Sequence, residues 1–187
     1  MGDWTGFDSF VIPFTLESKA YFDDEEESLP LSTVAKTLKK AFSSDYLSEQ
    51  IETMLKMSTE NPTEAIGKAK ELIESCCITI LEKTNIATDT KWNVGQLVDK
   101  TMETLGITPK QVPASTPDAE NIKAILGNLR AIAGNIAELR NTYGSGHGKG
   151  ANYKGLPPKD AKLAVGASIT LVNYLWETYE WRKTNVK

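Results

Sequence analysis

Between residues 118 and 142, apolar side chains recur seven apart at Ile122, Leu129, Ile136 and Tyr143, and Ile125, Ile132 and Leu139 fill a second heptad position. Only an α-helix gathers residues at that spacing onto one stripe, so a long helix packed along its length is predicted here. The neighbouring segments obey the same period. Asn61-Pro-Thr-Glu64 supplies an N-cap residue, a proline at the first helical position and a capping-box glutamate. From there Ile66, Ala69, Ile73, Cys76, Cys77, Ile80 and Leu81 mark the apolar side of a helix ending near Asn85. A shorter helix is predicted over 94–105, stopped by Gly106, and a loop with Pro109, Pro113 and Pro117 follows. Pro157-Pro158-Lys-Asp160 opens a last helix running to about Trp181. That helix is apolar on nearly every side, which places it in the middle of a bundle, and its small residues Ala164, Gly166, Ala167 and Ser168 allow close approach of a neighbour.

The predicted fold is therefore all-α, an antiparallel bundle with four core helices over residues 61–187. Residues 1–60 read as a separate N-terminal segment. Its aromatics Trp4, Phe7, Phe10, Phe14, Tyr21 and Phe22 and its acidic run Asp23–Glu27 form an arm. Two short helices follow, near 31–42 and 44–58. Only Ser9–Ile12 resembles a strand.

Charge is unevenly spread. The chain has a formal net charge of −4, yet residues 140–162 hold Arg140, Lys149, Lys154, Lys159 and Lys162 against Asp160 alone, a local +4. An island of that sign suits an anion or phosphate site, and it equally suits a solvated lysine-rich loop. With one histidine, His147, and two cysteines, Cys76 and Cys77, a Cys/His zinc site cannot be assembled from a single chain. The adjacent cysteines sit about 100° apart on a helix and read as free, mostly buried thiols of a reducing compartment. An acid at Asp3 and no apolar core after it argue against a secretory signal, and the uncharged stretch Leu163–Trp176 is too short to cross a membrane. A cytoplasmic protein without membrane contact is expected.

The richest chemistry lies between the two best helices, in Arg140-Asn-Thr-Tyr-Gly-Ser-Gly-His147-Gly-Lys-Gly150. Arg140 follows Ala133 by seven residues and Leu126 by fourteen, which puts it at the edge of the apolar stripe instead of the solvated face. A guanidinium there needs acceptors: a structural ion pair, for example with Glu74, is one solution, and a bound anion is another. The glycines fit neither the Walker pattern nor the dinucleotide fingerprint, and both of those require a preceding strand.

Arg140-Asn141 followed by His147, with six residues between Arg and His, resembles the Arg–polar–His pattern of HEPN domains. The longer run, through Gly-His-Gly-Lys and on to Asp160-Ala-Lys-Leu-Ala, is similar to the C-terminal domain of bacterial abortive-infection proteins, over roughly residues 61–183. In HEPN domains that are targets of nucleotide modification a tyrosine stands two residues after the histidine; Lys149 stands there instead. The resemblance implies a metal-independent endoribonuclease without cofactor, a toxin-like effector of antiphage defence with Arg140, Asn141 and His147 as catalytic residues. It also implies a homodimer that places two such sets in one cleft. Lys149 and Lys154 are candidate contacts to the RNA backbone, the RNA being single-stranded or tRNA, and a regulatory partner or antitoxin is a further expectation.

The chemistry is coherent without the family. Imidazole titrates near pH 6.5 and can take the 2′-hydroxyl proton, and an arginine fork can hold the phosphate while charge builds in the transition state. The alternatives are a non-catalytic HEPN-type module that binds nucleotide, RNA or protein, and a scaffold in which Arg140 is only an ion pair.

Overall fold

The computed structural model describes residues 45–143 and 154–185, with side chains from residue 51 onward. Among these residues there are five α-helices and no strand: α1 (Asp45–Glu60), α2 (Pro62–Lys83), α3 (Val94–Thr104), α4 (Ala119–Tyr143) and α5 (Pro158–Asn185). A single 3-10 turn, Pro109–Gln111, lies between α3 and α4. The predicted arm, the short helix near 31–42 and the strand-like Ser9–Ile12 lie outside the described residues.

Each start has a local cause. At α2 the Asn61 side chain accepts from the Glu64 backbone N–H at 3.3 Å, and Pro62 fills the first position, where no amide partner is needed. At α3 the box is complete: the Asn93 side chain accepts from Gln96 N at 3.0 Å, and Gln96 Oε1 accepts from Asn93 N at 2.9 Å. The ends are equally local. Asn85 and Gly106 carry φ of 58° and 66°, the left-handed geometry that closes a helix and suits glycine and asparagine.

α2 is the hub, packing on all four other helices, whereas α5 packs on α1, α2 and α4. Sequence had put α5 in the middle. It is covered along Ala161, Ala164, Val165, Ser168, Ile169, Leu171, Val172, Leu175 and Trp176, but Leu163 and Trp181 face solvent. The direct register with α2 comes from two contacts: Ile66 and Ala161 share a small apolar cluster near the helix starts, and about ten residues on, the Cys76 thiol donates to the Val172 carbonyl at 3.9 Å. The two helices therefore run side by side in the same direction. Helix α1 contributes Ile51 and Met54 to the same main core.

Both cysteines are free and buried, as expected. Burial pushes the Cys77 thiol up to about 12 and raises Cys76 well above its ordinary value, so neither is a nucleophile. No helix among the described residues is long and apolar enough to cross a membrane.

Candidate functional site

The end of the bundle that matters is where α4 finishes and α5 begins. Leu139 and Tyr143 from the last turn of α4 pack against Ile66, Leu156 and Ala161, tying the two helix ends to the start of α2. α4 stops at Tyr143, where the sequence turns to Gly-Ser-Gly and helix propensity falls. α5 starts cleanly because Pro158 occupies the first position and the Pro157 carbonyl accepts from the Asp160 and Ala161 amides at 3.0 and 3.2 Å.

Arg140 and Asn141 are both exposed on the last turn of α4. This corrects the expectation that Arg140 sits at the core boundary. Its register is that of the buried row Leu126 and Ala133, but in the last turns of α4 the covered residues are Ile136 and Tyr143, from the row of Ile122 and Leu129 that packs along the helix, with Leu139 beside them. Arg140 is left on the uncovered side. The ion pair suggested with Glu74 is not formed either, because Glu74 accepts from Lys70 Nζ at 2.5 Å, one turn earlier on its own helix. The Arg140 guanidinium has no hydrogen-bond or ion-pair partner among the described residues.

Lys154, the first described residue before α5, is exposed, as is Lys162, while Lys159 lies 2.9 Å from the Asp160 carboxylate. This end of the bundle thus gathers Arg140, Asn141, Lys154 and Lys162 as open donors. His147 and Lys149 belong to the connection between α4 and α5, within 144–153, and lie outside the described residues. What the described part offers is a cationic, hydrogen-bond-donating helix end suited to a phosphate oxygen.

A family model described as a HEPN-like domain, Abi_C, matches residues 44–179. The chain belongs to that family. The match takes in all of α1 to α4 and most of α5, so the HEPN-like domain extends over α1, a helix the sequence resemblance had not reached. Membership is consistent with the abortive-infection family. No curated protein and no solved structure matches the chain.

A second concave surface escaped sequence reasoning. Trp92, Lys110 and Arg130 meet beside α3 although they stand in three segments well apart in the chain. The one available sequence signal was an aromatic residue immediately before a helix N-cap, at Trp92-Asn93.

Proposed function

We propose that this HEPN-like domain is a metal-independent endoribonuclease acting as an effector of abortive infection against phage, with Arg140, Asn141 and His147 as its catalytic residues. The observation that carries the reading is Arg140. It is an arginine in the register of a buried stripe, yet it stands exposed and without a partner among the described residues, at the helix end from which the His147 segment departs. Left without a partner there, the guanidinium is open to an anion.

In the proposed reaction, His147 removes the 2′-hydroxyl proton, and the 2′-oxygen attacks the adjacent phosphorus. Arg140 donates to the non-bridging oxygens as charge accumulates in the pentacoordinate transition state. The P–O5′ bond breaks, leaving a 2′,3′-cyclic phosphate and a 5′-hydroxyl. Asn141 orients the arginine or contacts the phosphate, and Lys149 and Lys154 hold the flanking backbone. The departing 5′-oxygen needs a proton, and a chain with one histidine obtains a second from a partner copy. Hence an isologous homodimer, with two His147 and two Arg140 in one cleft, is part of the proposal.

Cleavage of an RNA oligonucleotide beside its all-deoxy counterpart tests this reading. Cuts in RNA alone, with cyclic phosphate ends and loss of cutting in Arg140→Ala, are expected. Equal cutting of DNA, or a strictly monomeric solution mass at all concentrations together with full activity, would overturn it.

A further inference from the structure

Beside α3, the 3-10 turn and α4 enclose an open groove of about 770 Å³. One wall is Trp92, half-buried, and the floor is Met102, only 1% exposed. The backbone at this position is anchored, because Trp92 N donates to the Asp89 carbonyl at 3.0 Å and the next residue is held in the Asn93–Gln96 capping box, and the Trp92 side chain packs partly against the main core. A part-exposed aromatic ring beside an apolar floor favours a flat apolar partner.

The rim selects its charge. Asp99 is matched by Arg130, whose Nη2 donates to Oδ2 at 2.7 Å while Nε reaches the other oxygen. Glu103 is matched by Lys100 at 2.9 Å. Both rim carboxylates are thereby neutralised, and Lys110 is left exposed with no partner among the described residues. Gln96 adds an exposed amide whose oxygen serves the capping box and whose NH2 group is directed to no described acceptor. Much of the lining is contributed by helices and no strand borders it among the described residues, so the groove does not offer the edge that an extended peptide would pair with. An aromatic plane, an amide donor and one uncompensated cation match a base with its phosphate.

We propose that this groove is a subsite for single-stranded RNA, stacking one base on Trp92 and holding a phosphate at Lys110. It rests on the ribonuclease reading and extends it: Arg130 on the rim precedes Arg140 by ten residues of α4, about 15 Å along the helix axis. A strand held at Arg140 that continues into the groove gains a second anchor there, whose stacking is tolerant of base identity.

The test is anisotropy of a labelled single-stranded RNA oligonucleotide with the full chain and with Trp92→Ala, Trp92→Phe and Lys110→Ala, with cleavage followed in parallel. Trp92→Ala should weaken binding about tenfold and Trp92→Phe should recover most of it. Lys110→Ala should lower the salt slope of binding by about 1. If Trp92→Ala fails to fold, the exposed Lys110 site still decides through the salt slope. Unchanged affinity and salt slope with RNA still cut would overturn the subsite and leave the nuclease standing. Weakened binding in the variants with no cutting by any protein would support the subsite and remove the nuclease. RNA that does not bind the unaltered protein would overturn the subsite.

Discussion

Leu126 and Ile125 are neighbours on α4, both large and aliphatic, and their truncation should have opposite consequences. Leu126 is 3% exposed and belongs to the main core, whereas Ile125 is 59% exposed although heptad spacing aligns it with Ile132 and Leu139. Leu126→Ala removes three carbons from a packed interior that relaxes only in part, at a cost of about 2–5 kcal/mol. For a chain of this length that lowers Tm by roughly 5–15 °C. Ile125→Ala gives up little burial and gains the better helix former, so its net effect should lie within about 0.5 kcal/mol of zero. Urea unfolding followed by circular dichroism at 222 nm, at low protein concentration, gives both values. Equal losses of more than about 2 kcal/mol for the two variants would refute the assigned rotation of α4.

The glycines make a second contrast. Gly106→Ala should destabilise by about 1–2 kcal/mol, since its φ is 66° and an added Cβ would meet Arg182 Nη1 at 2.7 Å; Gly127→Ala, on α4 with nothing within 4 Å, should stabilise by up to about 1 kcal/mol. The buried thiols predict an alkaline limit. Their folded pKa values lie above the ordinary 9.0, so the unfolded chain loses its thiol protons first, and stability is full below about 9 and falls as pH rises toward 12. The decline is about 1.4 kcal/mol per pH unit for each thiol, and Cys77→Ala unfolded by urea across that range should show a shallower one. Arg182→Ala removes the hydrogen bond that its Nη1 donates at 2.7 Å to the Leu105 carbonyl at the end of α3, and should cost about 1 kcal/mol in the same urea assay.

The helices were legible because their signals are local. Asn61-Pro62 and Asn93 start helices through their own side chains and ring, and Asn85 and Gly106 end them through their own backbone freedom. Burial around each helix was less legible. The heptads of α4 correctly marked Ile136 as buried, but they gave Ile125 and Ile132 equal rank, and only the placement of α2 and α3 decides that Leu126 and Ala133 face inward. Arg140 is a similar case: its register was read correctly, and its exposure depends on which neighbours reach the last turn. Glu74 was a plausible partner in sequence because it borders a stripe, but Lys70, four residues before it, is nearer by construction of the helix. The groove at Trp92 was hidden for another reason, since its residues come together only when α3, the 3-10 turn and α4 pack.

The most direct test is cleavage of labelled tRNA and single-stranded RNA by the purified chain in excess EDTA, alongside a folded His147→Ala protein. Metal-free transesterification by Arg140 and His147 predicts cuts ending in cyclic phosphate that disappear with the substitution. Cutting that EDTA abolishes, or that His147→Ala retains in full, would contradict it.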